Sequence, residues 1–138
     1  MVRLLYAQDD QYLIQTLNYQ IKKWFPGLEV TLARDGEEAI SLIKSTPSQI
    51  FILDDCMPIK NGIEVFKYIQ EFGQDYRVIF LTARDDKKDQ KMWGRLKNWK
   101  VRVFYLPFKN WGLRAWLTFY IWSWRLTHFF YKIAKRQT

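Results

Sequence analysis

The sequence contains a single cysteine, Cys56, so no internal disulfide can form. It also lacks a basic-then-apolar leader ending in a small-residue cleavage site. Without either feature nothing points to secretion, and a cytoplasmic setting is the expectation. Long uncharged apolar runs are missing too. The one stretch long enough to cross a bilayer is interrupted by Arg114 and Arg125, which argues against a span. Acids are scarce in one region only: residues 84–138 hold 14 Lys+Arg against 3 Asp+Glu, net +11, whereas residues 1–83 hold 8 against 11, net −3. The overall charge of +8 therefore belongs to the C-terminal part alone. A basic region of this kind can face nucleic acid, an anionic membrane surface or an acidic partner. No helix-turn-helix pattern accompanies it, so direct DNA reading is not expected.

What is present suits one globular domain. A chain of 138 residues buries a core without staples, and 49% apolar with 26% charged residues is an ordinary globular balance, although 18% aromatic with seven Trp is heavy. Short runs rich in Val, Ile, Leu and aromatics at Arg3 to Ala7, Glu29 to Ala33, Ile50 to Asp54, Val78 to Leu81 and Val101 to Leu106 predict five strands. Between the earlier runs, apolar residues recur at helical spacing: Leu13, Leu17 and Ile21, then Ala39 and Ile43, then Val65, Phe66 and Ile69. Turn signals at Pro26-Gly27, Asp35-Gly36, Asn61-Gly62 and Phe72-Gly73 separate the elements. Nearly continuous apolar strands joined by right-handed helical crossovers imply a doubly wound five-stranded parallel sheet with helices on both faces, an α/β (βα)5 sandwich.

In such a sheet, ligands sit beyond the carboxyl ends of the strands where strand order reverses. The first strand runs into Gln8-Asp9-Asp10, the third into Asp54-Asp55 and the fourth into Thr82-Ala83. Carboxylates crowded at adjacent strand ends repel one another unless a hard cation sits among them, and Mg²⁺ with a phosphate oxygen is the usual partner.

The order and spacing of these residues, from Arg3 to about Phe108, resemble the receiver domain of two-component response regulators, with its flavodoxin-like fold. The segment Ile52-Leu53-Asp54-Asp55-Cys56-Met57-Pro58-Ile59-Lys60-Asn61-Gly62 is similar to the family's phosphoacceptor stretch. Val78 through Thr82-Ala83 resembles its fourth strand, and Asp35-Gly36-Glu37-Glu38-Ala39 its entry into helix two. The resemblance implies that Asp54 is the phosphoacceptor, a carboxylate nucleophile attacking phosphorus. It implies Asp9, Asp54 and the Cys56 backbone carbonyl as ligands of Mg²⁺, with Asp10 contributing weakly or from behind them. It also implies that Thr82 contacts a phosphoryl oxygen and carries the switch. No enzymatic activity is expected beyond self-phosphorylation from a phosphodonor.

Three positions depart from the family pattern. Gln8 stands where the first acid is usual. Leu106, in Tyr105-Leu106-Pro107-Phe108, stands where a Lys is usual and cannot replace its ammonium contact; Lys109, Arg84 and Arg102 are candidate substitutes. Val103 falls at the family's rotating aromatic, with Phe104 or Tyr105 available to take that role.

Residues 110–138 form an extended aromatic and basic C-terminal helix belonging to the same domain as the receiver core at 1–109. Arg114, Thr118, Arg125, His128, Lys132 and Arg136 make one polar stripe, and Trp, Phe, Tyr, Leu and Ile fill almost everything else. One apolar side can pack on the sheet, which leaves a second side to be covered. The readings are a homodimer through this helix, a membrane surface, or a fold-back that makes the aromatics core. His128 and the basic run from Arg84 to Arg102 are expected to be solvated, Cys56 to be a packing or loop residue, and Asp55 to add local charge without a ligand role. Taken together, the resemblance implies a stand-alone response regulator that receives phosphate from a histidine kinase or phosphotransfer protein. The alternative is a phosphorylation-independent pseudo-receiver acting as an interaction or membrane-surface module.

Overall fold

The computed structural model describes residues 2–73, 75–83, 87–106 and 110–136. Ten elements alternate without exception: β1 (Arg3–Ala7), α1 (Gln11–Trp24), β2 (Glu29–Ala33), α2 (Gly36–Ser45), β3 (Ile50–Asp54), α3 (Gly62–Phe72), β4 (Arg77–Thr82), α4 (Lys87–Leu96), β5 (Val101–Tyr105) and α5 (Asn110–Arg136). All strand pairs are parallel, in the order β2-β1-β3-β4-β5. Three strands match the sequence expectation, β4 gains a residue at each end, and β5 stops one residue short of Leu106.

Side-chain alternation along each strand sends residues to two separate cores. Leu5, Phe51, Leu53, Val78, Phe80, Val101 and Val103 meet α2, α3 and Trp93 of α4 on one face. Tyr6, Ile50, Ile52, Ile79 and Leu81 meet α1 and α5 on the other. Trp93 is fully buried, its ring 4.9 Å from that of Phe80, and anchors an otherwise exposed basic helix. The basic face of α4 is solvated, as its sequence suggests.

Local signals fix where helices begin. The Asp10 carboxylate accepts from the Tyr12 and Leu13 N–H groups at 2.9 and 3.0 Å, and Asp35 accepts from the Glu38 N–H at 2.8 Å. Asn61 and Glu64 close a reciprocal capping box at the start of α3. Each cap satisfies N–H groups that would otherwise lack a partner.

Arg77 ties the lower edge of the sheet to α5. It is fully buried, donates to Asp75 at 2.8 Å and to the Tyr76 carbonyl at 3.0 Å, reaches Ser123 Oγ of α5 at 3.4 Å, and lies 4.5 Å from the Trp99 ring. Burial works to raise the Asp75 carboxyl, but the contacts from Arg77 and Lys100 outweigh it and hold Asp75 below the usual carboxylate range.

The last helix runs 27 residues, about 40 Å at 1.5 Å per residue. Leu113, Leu117, Tyr120 and Ile121 are buried against the sheet, with Trp116 and Trp124 packed beside them. The predicted second apolar side is real: Trp111, Phe119, Trp122, Leu126, Phe129 and Ile133 are all exposed. The polar stripe is solvated throughout, with His128 stacked on Trp124 at 5.0 Å. Among the described residues no helix is long and apolar enough to cross a membrane.

Candidate functional site

Strand order reverses between β1 and β3, whose outer neighbours are β2 and β4. The crevice beyond their carboxyl ends is the expected ligand position. Three carboxylates gather there: Asp9 just after β1, Asp54 closing β3, and Asp55 following it. Asp9 is exposed, Asp54 half-buried and Asp55 buried. Burial pushes the Asp54 carboxyl up to about 7, and the charges of Asp9 and then Asp55 push in the same direction. The Asp55 backbone N–H and the Gln8 side chain pull against this without cancelling it. Asp9 and Asp54 are thus close enough to feel each other, as the sequence predicts.

Gln8 changes the character of the pocket. Buried to 3% exposure, it accepts the Asp10 N–H on Oε1 at 3.1 Å and hydrogen-bonds both Asp54 and the Tyr6 hydroxyl. Where an acid would repel Asp54, the Gln8 amide binds it. Asp10 is engaged at the α1 N-terminus, with one carboxylate oxygen taking two N–H groups. Cys56 is an exposed loop residue, its Sγ 3.8 Å from Asp55 Oδ2.

The loop after β3 is tightly constrained. A Cβ on Gly62 would overlap the Asp54 carbonyl, so only glycine lets α3 start this close to the site. Ile59 has φ 69°, and the Lys60 N–H donates across it to the Pro58 carbonyl at 2.8 Å. A β-branched residue in that region is strained.

Thr82 ends β4 and is fully buried. Asp54 pairs in register with Leu81, which puts Thr82 one residue beyond it on the neighbouring strand. Its hydroxyl donates to Asp55 Oδ2 at 3.1 Å. Asp55 is therefore more than the source of local charge that the sequence suggests. No sequence signal could reveal this contact, because its two partners are 27 residues apart on different strands.

On the β5 side, Leu106 lines a cavity of about 150 Å³ with Tyr6, Gln8, Leu13, Leu17 and Leu81. The position expected to carry an ammonium faces a largely apolar space that Thr16 and Gln20 also line. Of the candidate substitutes, Arg84 and Lys109 lie outside the described residues, as do Pro107 and Phe108. Arg102 pairs with Ile79 while Tyr105 pairs with Thr82, about 10 Å of strand away from the site level, and its guanidinium rests 4.6 Å from the Trp116 ring. It does not replace the missing cation. Val103 is core, and Tyr105 shares its face, whereas Phe104 points to the other core.

Asp9 and Asp54 offer carboxylate oxygens near enough for their charges to interact, a donor type that suits a hard divalent ion retaining several waters. Among the described residues no group of three or more His, Cys, Asp or Glu is placed to hold a metal by side chains alone. Oxygen donors favour such an ion over one bound by thiolate or imidazole.

Known proteins agree with this architecture. Response regulator MprA of Mycolicibacterium vanbaalenii is 36% identical over 89 residues, 64% of this chain and 38% of that protein. Its counterpart in Mycobacterium bovis is 35% identical over the same length. The chain thus spans well under half the length of these curated relatives. Among solved structures, the N-terminal domain of an uncharacterized Wolinella succinogenes protein superposes with a TM-score of 0.80 at 24% identity, covering 92% of this chain and 99% of that one. The receiver domain of a Francisella response regulator gives 0.73 at 23%, covering 89% and 99%. The family model for the response regulator receiver domain matches residues 4–95, and the chain belongs to that family.

Proposed function

We propose that this receiver is phosphorylated on Asp54 in the presence of Mg²⁺, with a histidine kinase or phosphotransfer protein as donor, and that it signals through protein contacts that include pairing of its own α5. The observation that carries the reading is the half-buried Asp54, its pKa raised to about 7 by burial and by Asp9 and Asp55, with Thr82 one residue beyond on the next strand. Asp9, Asp54 and the Cys56 backbone carbonyl would hold the ion. When bound, it supplies positive charge against the carboxylate and the incoming phosphoryl group.

The chain's own residues do the rest. An Asp54 carboxylate oxygen attacks phosphorus, the O–P bond forms as the donor's P–N bond breaks, and the imidazole leaves with a proton. Gln8 orients the Asp54 carboxylate by hydrogen bonding. Thr82 offers its hydroxyl to a phosphoryl oxygen, and Tyr105, on the Val103 face and in register with Thr82, relays the change toward α4. Incubation with Mg²⁺ and acetyl phosphate should add the mass of one phosphoryl group to the intact chain. No gain at any donor concentration sinks the proposal, as does a gain that persists in Asp54→Asn.

For output, Trp111, Ala115, Phe119, Trp122, Leu126, Phe129 and Ile133 are exposed on the side of α5 opposite Leu113 and Leu117. At 100° per residue they fall within an arc of about 80°, the narrow stripe of a helix–helix seam. From their exposed fractions, and at roughly 150–250 Å² for an aromatic side chain, the stripe leaves on the order of 600 Å² per chain, about 1,200 Å² for a pair. That reaches the lower end of a stable interface, so the occupant is a second copy. A groove of about 610 Å³ between Trp24, Phe25, Leu28, Ile121, Trp122 and Trp124 continues the surface. Arg125 and Lys132 border the stripe on one side only. Parallel pairing sets them against the uncharged border near Ser123, and antiparallel pairing sets them against each other. Light scattering should give twice the chain mass, and Trp122→Asp should give the monomer. A monomeric wild type at tens of micromolar contradicts the pairing, whereas capture by anionic vesicles alone would favour a membrane surface.

One observation favours a second reading. Leu106 faces a largely apolar cavity, so a phosphoryl group here would lack a charge-assisted contact worth roughly 1.5–3 kcal/mol. In a phosphorylation-independent module, the mass gain is absent and pairing is unchanged in Asp54→Asn.

A further inference from the structure

We propose that Asp55 is a latch on the switch: its carboxylate holds the Thr82 hydroxyl away from Asp54, and the hydroxyl must leave it before serving an anion there. The inference rests on Asp54 being the phosphoacceptor. Its ground is a buried contact, Thr82 Oγ1 to Asp55 Oδ2 at 3.1 Å, between two side chains that are 0% and 4% exposed.

The contact follows from the backbone. The Asp55 N–H donates to the Leu81 carbonyl at 3.0 Å and its carbonyl accepts from the Gly62 N–H at 3.1 Å, so the residue is pinned between β4 and the start of α3. Thr82 is held from the other side, its carbonyl accepting the Leu106 N–H at 2.7 Å. With both backbones fixed, what freedom is left in the pair is side-chain rotation, and the Thr82 hydroxyl can turn toward Asp54 only about its own χ1. Threonine is stiff at χ1, so its hydroxyl occupies one of a few discrete positions.

A hydroxyl has one proton to give. It donates either to Asp55 or to an acceptor on Asp54, and a bond to a charged acceptor, lost inside a buried pair, is costly to break. Asp55 therefore competes with the anion for the same donor and weights the resting arrangement. Leu106 sharpens the competition, because it stands where the family has a cation and its side chain cannot donate to an anion. With that help absent, the Thr82 hydroxyl is a larger share of what can stabilise the modified state.

The test uses beryllofluoride with Mg²⁺ as a phosphoryl mimic, its binding measured by calorimetry in a double-mutant cycle of Asp55→Leu, which keeps the branching but removes both acceptors, and Thr82→Val, which keeps the volume. Asp55→Asn is the control, since it removes the charge but keeps an oxygen able to accept from Thr82. Asp55→Leu should tighten binding about tenfold more than Asp55→Asn when Thr82 is present, and the two should be equal when residue 82 is Val. Thr82 χ1 couplings by NMR, taken without any ligand, should report one rotamer in the wild type and averaging in Asp55→Leu. Equal effects of Leu and Asn with Thr82 in place, or additive changes in the cycle, overturn the latch while leaving the phosphoacceptor standing. A single Thr82 rotamer in Asp55→Leu also overturns it. No beryllofluoride binding in the wild type or any variant removes the phosphoacceptor and the latch together.

Discussion

The strand-end pocket and the last helix are both unbalanced in charge, yet they are unbalanced in physically different ways. In the pocket, a half-buried Asp54 sits among the like charges of Asp9 and Asp55, and the strain appears as an Asp54 carboxyl pushed up to about 7. Along α5, Arg114, Arg125, Lys132 and Arg136 share a helix that carries no acid, but they are exposed and water screens them. What is costly there is the apolar stripe beside them. One region calls for a small, dense counter-charge and the other for a large complementary surface, so losses in the two should separate cleanly under mutation.

The largest expected effect tests that separation directly. Trp93 and Trp122 are both helical tryptophans, but one is fully buried against Phe80 and the other is 60% exposed. Trp93→Ala should cost about 3–5 kcal/mol in denaturant unfolding. Trp122→Ala should stay within about 0.5 kcal/mol when measured at monomeric concentration, while weakening pairing. Similar unfolding losses for the two would make the stripe part of the core and erase the contrast.

Arg77 comes next because it ties the start of β4, at the end of the sheet away from the pocket, to the last helix. Its guanidinium holds Asp75, Ser123 of α5 and Trp99, and Lys100 remains to pair Asp75 at 3.0 Å if it is removed. Arg77→Ala should therefore cost about 2–3 kcal/mol, below the loss expected of a buried pair stripped of every partner. Hydrogen exchange should quicken near Ser123 more than near Asp54. Uniform acceleration would mean that Arg77 stabilises the sheet alone.

A pH series addresses the pocket. Asp54 binds its proton more tightly in the folded chain, at about 7 against 3.8, so its contribution to stability is complete below pH 4 and is lost as pH rises through 7. Asp54→Asn should be close to neutral at pH 4 and stabilising at pH 8, by roughly 1–2 kcal/mol after allowing for screening of a half-exposed group. Mg²⁺ should narrow that gap in the wild type, because the ion competes with the proton for the same carboxylate. A difference independent of pH would place the Asp54 charge in a solvated environment.

These contrasts also explain how much of the molecule its sequence reveals. The strands were legible because parallel strands buried on both faces leave apolar runs such as Ile50 to Leu53, and two helix starts because Asp35-Gly36 and Asn61-Gly62 are turn signals whose first residues carry the caps; the sequence set Asp10 toward the metal instead, where the structure engages it as the α1 cap. Asp9, Asp54 and Thr82 were legible through the order of strand ends. The duty of Asp55 was not, since it depends on which strand lies beside β3 and on the register that brings Thr82 alongside. Arg102 failed as a substitute cation for the same reason: only the register shows it three residues below Thr82, against Trp116. The boundary of β5 at Tyr105 depends on pairing with β4, which composition does not encode.

The smallest effect lies in the loop between β3 and α3. Ile59 is 69% exposed, so it contributes little burial, and its φ of 69° is a conformation that a β-branched side chain resists. Glycine adopts that region freely but loses more entropy on folding, and the two terms oppose each other. Because the side chain gives almost nothing to the core, relief of strain should win and Ile59→Gly should stabilise by about 0.5–1 kcal/mol. If the substitution instead destabilises, the Lys60 N–H bond to the Pro58 carbonyl depends on the stiffness of Ile59, and the strained turn is itself part of what holds Asp54 and the Cys56 carbonyl in place.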